Sequence, residues 1–474
     1  MAISKRKLIY PIFATLVFLG LVVIGVFYVQ LKDLEALRNA VAEEIQAETK
    51  RDVKIGSAQL DFTEGIGLQL SDVTLKGSSV QQSDFTCEKV LVMLHLLPLL
   101  KGEIEIKKLI FEGLVLQITR DDQGAFNFGD LSPTGSHRSD DTIPHLVRAG
   151  LMHSVLVRNS ELWLVDHFIS SGSKPLVTKI KNLSLSLNKH FMKSSLRVHL
   201  DGDIPFTKQE SGRVKLDGKI RVPEDWSNLS KVAVEAALQV QNVGTHPFEP
   251  YLAKVFEQHL GDHLVSFDTQ LAGTLDGHVQ LSGTLKHTPR APFLQHDLSN
   301  LAPPVHGNLD YNLIFNRDTV EFKQLNYRSG DFILMIHGTY ARFLSDKAWL
   351  TVTLKSAPFK IQNSSKYLPL KVFSMDIHNR LHRLLKKGEV EISSLNIEGP
   401  RAIFEGRSNA EIEAYNSGSI VLRQVDLGAD ALPLKGMTGE IQFKDGVVSV
   451  KVQEAHYEHV AIKNLVGIVT HPLT

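Results

Sequence analysis

Histidine pairs are the residues in this sequence best spaced for chemistry. His378-x3-His382 has the i, i+4 spacing that puts two imidazoles on one helical face, where they could hold zinc. The residue after His378 is Asn379 rather than the glutamate of a metalloprotease, and no third ligand is indicated. A solvated helix face is the expected reading. His456-x2-His459 falls in a strand pattern, where that spacing sends the two side chains to opposite faces. Asp121-Asp122-Gln123-Gly124 resembles half a calcium loop but lacks the later acidic ligands, so it reads as a plain hairpin turn. The single cysteine, Cys87, supports neither a disulfide framework nor a thiolate metal site and reads as a half-buried strand thiol. There is no Gly-x-Ser-x-Gly elbow, no phosphate loop and no Gly-x-Gly-x-x-Gly. Asn182, Asn228 and Asn363 begin Asn-x-Ser sequons, which matter only in a secretory pathway. The expectation is a protein that is not an enzyme and needs no cofactor or metal.

The elements that would carry any site are strands. The stretch from Val90 to Leu131 sets the pattern. Ile104 and Ile106 alternate with Glu103, Glu105 and Lys107, and Leu114, Leu116 and Ile118 follow in the same register after a break at Gly113. Alternation recurs at Leu183, Leu185 and Leu187, at Leu196, Val198 and Leu200, at Leu350, Val352 and Leu354, and at Val448, Val450 and Val452. Each run shows one apolar and one wet face. An apolar-x-Gly-x-apolar motif repeats loosely around Gly202, Gly218, Gly273, Gly283 and Gly338, and glycine inside a strand marks a bend or close approach. Residues 130–143 are polar and lack an apolar period, so they read as a flexible loop.

Helices are few. An uncharged run of 22 residues, Leu8–Val29, follows Lys5, Arg6 and Lys7. At 1.5 Å per residue it spans about 33 Å, enough to cross a bilayer. Its apolar anchor positions include Leu8, Ile12, Leu16, Leu19, Val23, Val26 and Val29. A cleaved signal peptide would have a shorter apolar region of about 7–15 residues. Basic residues ahead of the span place the N-terminus in the cytoplasm and everything from Lys32 onward across the membrane. Residues 33–49 continue as an amphipathic helix with Leu34, Leu37, Val41 and Ile45 on one stripe. Two further helices are expected over 248–260 and 375–387, the second ended by Lys386, Lys387 and a Gly388 cap.

The fold class is therefore mainly β: a transmembrane helix, then a long curled antiparallel sheet forming an open groove, with two or three short helices. Residues 1–31 would be the cytoplasmic tip and anchor, 32–244 a first β-groove segment with its leading helix, and 245–474 a second that continues in a longer protein. Lysine plus arginine and aspartate plus glutamate both number 52, so the net charge is zero, which argues against a nucleic-acid partner.

The chain resembles the AsmA-like family of bacterial envelope proteins. The resemblance rests on the anchor and helix leading into Thr49–Gly56 and Gly67–Leu75, on Leu97–Ile104 followed by Arg120–Leu131 with its Asp-Gln-Gly-Ala-Phe-Asn core, and more loosely on Gly439–Gly446. It implies a single-pass bacterial inner-membrane protein with a periplasmic body, an open curled sheet with an apolar inner face, and a link to phospholipid transport and outer-membrane biogenesis. The expected partners are phospholipid, the inner membrane and other envelope proteins at the distal end. Ile104, Ile106, Leu114, Leu116, Ile118, Leu183, Leu185 and Leu187 are the candidate groove-lining residues. Two other readings stay open: a scaffold whose β face binds outer-membrane protein strands, and a sandwich whose apolar face is closed by a second layer.

Overall fold

The structure is a computed structural model that describes residues 34–49, 51–76, 83–95, 97–98, 106–127, 154–168, 175–190, 195–207, 209–221, 231–245, 248, 263–274, 276–289, 306–343, 345, 347–363, 385–400, 415–428 and 433–470. The anchor run 8–29, Ile104, the 130–143 loop, nearly all of the helix expected at 248–260, and the His378/His382 pair lie outside them. No described helix is long and apolar enough to cross a membrane. The chain divides into two compact units, Met1–Pro205 and Phe206–Thr474.

The first unit opens with helix α1 (Leu34–Thr49). Strands β1 (Val53–Lys54), β2 (Ser57–Asp61), β3 (Gly67–Lys76), β4 (Ser83–Leu94), β5 (Ile106–Arg120), β6 (Ser154–Asp166), β7 (Leu176–His190) and β8 (Ser195–Pro205) follow. β1 and β2 both pair with β3, and the ladder then runs β3–β4–β5–β6–β7–β8. An all-antiparallel sheet is expected, and one pairing corrects that: β5 and β6 run parallel, with Leu116 opposite Leu162. Asp121–Gly124 does turn the chain, its Asp121 Oδ1 accepting from the amides of Gln123 and Ala125. Among the described residues the return is the bridge Arg120–Phe126, with the Asp121 amide on the Ala125 carbonyl and the Asn127 amide on the Thr119 carbonyl, each at 2.9 Å.

A second correction concerns which side chains share a face. Gly113 does not end a strand; β5 passes through it at φ 66°. A residue in the left-handed region swaps the inward and outward sides of the strand residues beyond it. Asp72 (φ 53°) on β3 and Asn159 (φ 49°) on β6 do the same. These positions align, because Ser71, Lys89, Glu112 and Arg158 form one row of partners and Val73, Cys87 and Leu114 the next. A crease thus crosses the sheet. On one face it joins Leu68 and Leu70 to Val73, Val90 to Cys87, and Phe111 to Leu114. Ser160, buried beside the crease, accepts the Leu114 amide at 3.1 Å and donates to the Arg158 carbonyl at 2.8 Å, so backbone freed from the ladder stays hydrogen-bonded.

The second unit holds β9 (Ser211–Arg221), β10 (Ala233–Gly244), β11 (His263–Thr274), β12 (His278–Pro289), β13 (Gly307–Asn316), β14 (Thr319–Ser329), β15 (Phe332–Ala341), β16 (Trp349–Ser356), β17 (Phe359–Lys360), β18 (Leu385–Pro400), β19 (Asn416–Leu427), β20 (Leu434–Lys444), β21 (Val447–Tyr457) and β22 (Val460–Thr470). Each pairs antiparallel with its neighbour, β18 spanning both β16 and β17. Asp445 and Gly446, both at positive φ, make the tight turn between β20 and β21. Lys386, Lys387 and Gly388, expected to end a helix, instead lie in β18. His459 is in the turn after β21 rather than on the strand. A second crease runs through Gln424 (φ 51°) and Asn464 (φ 55°), and the Gln424 amide is met by Thr438 Oγ1 at 3.4 Å.

Close approach explains one of the repeated glycines. Gly283 sits between Thr269 and Tyr311 on the adjoining strands, whose hydroxyls meet at 2.5 Å. A Cβ there would fall 2.0 Å from the Asp268 carbonyl oxygen, which no side chain tolerates without a backbone shift.

Within each unit the substantial packing is between ladder neighbours, apart from α1 on β1 and β2 and a short 3-10 turn (Ile361–Asn363) on β18. No second layer closes either sheet among the described residues. Yet Phe332 and Val425 are 0% exposed. Both sit in the apolar cluster formed across these strands, where sheet twist and the crease bring side chains of neighbouring strands together.

Candidate functional site

The two faces of the first unit differ in chemistry. One is closed by charge. Glu64 takes ion pairs from Lys108 at 3.4 Å and Arg158 at 2.9 Å, and Glu112 from Arg158 at 3.5 Å and Lys89 at 3.7 Å. Beneath this net lie Leu91, Met93 and Ile110, with Leu156 against them. The other face carries an apolar cluster. Leu68, Leu70, Val73, Cys87, Val90, Leu114 and Val157 form its floor, with half-buried Phe85, Phe111, Leu116 and Leu185 around them. α1 covers one end of this face, Leu34 and Val41 resting near Ile55 and Ala58.

Several expected groove residues meet here. Leu114 pairs with Cys87, Leu116 with Phe85, and Leu185 with Val157, all on the apolar face. Leu183 is buried opposite Ser160 and Leu187 is half-buried opposite Val155. Ile118, half-buried, pairs with Leu164, and Ile106 pairs with Leu94 across a bulge. The shared register expected of Ile106 and Leu114 does not hold across Gly113. Sequence reasoning missed Phe85, Val90 and Phe111, because period-2 counting assigns them to the wrong side once a crease intervenes. The available signal was an Asp, Gly or Asn at matching depth in successive strands, the residue types that tolerate positive φ. Cys87 is buried rather than half-buried, and burial pushes its thiol up to about 11, so it is an inert apolar filler.

In the second unit the apolar face gathers Phe332, Phe359, Ile361, Val390, Leu422, Val425, Leu434, Met437, Val452 and Ala455. Half-buried Leu334, Ile392, Ile420, Ile441 and Val450 extend it. A file of rings leads into this cluster across the strands. His263 and His287 lie 5.5 Å apart, His287 and Tyr327 stack at 6.1 Å, Tyr327 meets Phe332 at 6.4 Å, and Phe332 meets Phe359 edge-on at 5.1 Å. The space for His287 over β13 exists because Gly307 has no side chain; a Cβ would lie 2.1 Å from the imidazole Nε2.

Burial first, then the neighbouring His263 and His306, push His287 down to about 4. Its ring is neutral near pH 7 and shares a 3.2 Å hydrogen bond with the Tyr327 hydroxyl. The folded value lies below the unfolded one near 6.5, so the unfolded chain binds more protons between these values. Stability should therefore fall as pH drops from about 6.5 to 4, by on the order of 2 kcal/mol after discounting for residual solvent contact. Urea midpoints measured across that range for wild type and His287→Phe should differ in pH slope. An unchanged slope would remove His287 as the cause.

Among the described residues no group of three or more His, Cys, Asp or Glu is placed to hold a metal ion. The geometry offers an apolar face with a charged reverse side.

A family model described as YhdP protein matches residues 1–291. No curated protein and no solved structure matches the chain. The matched stretch covers more than half of the 474 residues, including all of the first unit and its crease. The chain belongs to the YhdP family, within the AsmA-like superfamily of bridge-like lipid transfer proteins.

Proposed function

We propose that this protein is anchored in the bacterial inner membrane by Leu8–Val29 and shelters phospholipid acyl chains along the apolar face of its periplasmic sheet, carrying them between membranes in outer-membrane biogenesis. The observation that carries this reading is the difference between the two faces in the first unit, charged pairs on one and, on the other, a buried apolar floor rimmed by half-buried Phe85, Phe111, Leu116 and Leu185. Whatever apolar area the half-buried rim still exposes favours an apolar occupant, at roughly 25 cal/mol per Å² removed from water. Family membership supports the same reading. No single position is special along such a face, so a chain can slide without crossing a deep energy well. The role is binding and conduction rather than catalysis.

The test is phospholipid in the purified full chain, read by mass spectrometry, in wild type and in Leu116→Asp. Leu116 is half-buried on the apolar face, so an aspartate there can still reach water and the fold should persist. Its charge in the path of an acyl chain should lower bound lipid about tenfold or more. Wild-type protein free of lipid, with crosslinks to protein only, would overturn the reading.

A further inference from the structure

An open cleft of about 550 Å³ separates α1 from β1 and β3 in the first unit. Arg38, Asn39 and Ala42 line its helix side, and Lys54, Asp72 and Thr74 are among those lining its sheet side. Three features set it apart. First, it holds two cations without carboxylate partners. The Arg38 guanidinium donates to Asn39 Oδ1 at 3.1 Å and to the Gly56 carbonyl at 3.5 Å, and neither it nor Lys54 is in an ion pair among the described residues. Arg51, Lys76, Lys89, Lys108, Arg120 and Arg158 of this unit are paired, while Lys107, Lys181 and Arg197 are, like these two, outside any ion pair among the described residues; what distinguishes the cleft is that two such cations share it. Second, one carboxylate, Asp72, faces the same space from a crease position, so the cleft presents two positive groups and one negative. Third, the cleft adjoins the apolar face directly, since Ile55 lines it and also packs on the Leu70–Val73 floor.

Arg38 lies nine residues beyond Val29. Nine residues reach at most about 32 Å however they are arranged, so the cleft stays close to the end of the apolar run. If that run spans a membrane, the cleft opens near its surface.

We infer that this cleft is where a lipid enters the apolar face, and that it docks a zwitterionic head group, with phosphate on Arg38 and Lys54 and a primary amine on Asp72. The inference rests on the acyl-chain reading above and adds to it a place and a head-group class. Phosphate attached to lipid is the ligand: the adjoining hydrocarbon face supplies affinity that a free phosphate lacks. Arg38 and Lys54 make charge-assisted contacts to phosphate oxygens, and the Asp72 carboxylate rejects head groups that bring no cation.

The experiment uses the full chain in vesicles, with a photo-reactive benzoylphenylalanine at Ala42 in the cleft or at Leu185 on the apolar face. Vesicles contain phosphatidylethanolamine or phosphatidylglycerol as the test lipid. Crosslinking at Ala42 should favour phosphatidylethanolamine. It should fall by tenfold or more in the double variant Arg38→Gln/Lys54→Gln, since each lost charge-assisted hydrogen bond is worth about that factor. Asp72→Asn keeps a residue that accepts positive φ and should erase the preference between the lipids while retaining crosslinking. Soluble phosphoethanolamine or inorganic phosphate should not compete at millimolar concentration. Competition by either would assign the cleft to a free anion and overturn the inference. So would Ala42 crosslinks indifferent to all three substitutions. Lipid captured at Leu185 but not at Ala42 would sink the entry site and spare the acyl-chain reading. No lipid at either position would sink both.

Discussion

Arg51→Met should destabilise the first unit by about 3–5 kcal/mol, the cost of leaving one member of a buried ion pair without its partner. Arg51 stands between α1 and β1, with its side chain 3% exposed and that of Asp84 5% exposed. Its Nη1 meets Asp84 Oδ2 at 3.0 Å and its Nη2 donates to the Asn127 carbonyl at 2.5 Å. Asn127 in turn is held to β5 by the Thr119 amide at 2.9 Å and the Gln117 carbonyl at 3.0 Å. One guanidinium therefore fastens the helix-to-sheet junction, the start of β4 and the segment after β5. Methionine fills similar volume but leaves the Asp84 carboxylate buried beside hydrocarbon. The double variant Arg51→Met/Asp84→Leu should regain about half the loss or more, because no charge is then stranded. Removing the surface pair Arg221–Glu235, whose side chains are more than half exposed, should cost less than about 1 kcal/mol. Urea unfolding of the three variants gives the comparison. A loss near 1 kcal/mol for Arg51→Met would mean that Asp84 finds water and that the junction is looser than drawn.

The buried status of this pair was not legible in the sequence, whereas much of the β body was. Alternation at Leu183–Leu187, Leu350–Leu354 and Val448–Val452 falls in β7, β16 and β21. Local chemistry decides such strands, since branched and long apolar side chains on every second residue stabilise a pleat with one dry face. α1 was legible for the same reason at helical period. Faces were not. Whether Phe111 and Leu114 look the same way depends on one φ angle at Gly113, and a period count cannot carry phase through it. The parallel pairing of β5 with β6 is equally non-local, fixed by which strand edge is free when β6 docks. Lys386–Gly388 shows the opposite error. Two lysines and a glycine read as a helix end, but their ladder with β19 outweighs that weak local preference. The cleft beside α1 needed the fold as well, because Arg38 and Asp72 are 34 residues apart and share a space only once the helix lies on β1.

Phe332→Ala should cost about 3–5 kcal/mol in lipid-free protein, as expected for emptying a fully buried aromatic site. Phe332 is 0% exposed and anchors the apolar face of the second unit, with the rings of Tyr327 and Phe359 against it. Its size makes it the test of what that face is for. In a sealed core the cavity would be permanent and the loss fixed. On a face that accepts acyl chains, the vacated volume adjoins the path of the ligand and a chain can fill part of it. A ligand that binds the folded state alone stabilises it by RT ln(1 + [L]/Kd). The variant should thus gain more from added phospholipid than wild type does, and the gap between their unfolding midpoints should narrow as lipid is titrated. Phe332→Leu, which leaves a smaller void, should show both a smaller loss and a smaller narrowing. If the gap stays constant across the titration while wild type itself is stabilised, lipid binds away from Phe332 and the second unit's cluster is structural. If lipid stabilises neither protein, the curled sheet holds its hydrocarbon for its own core, and the asymmetry of its faces has another use.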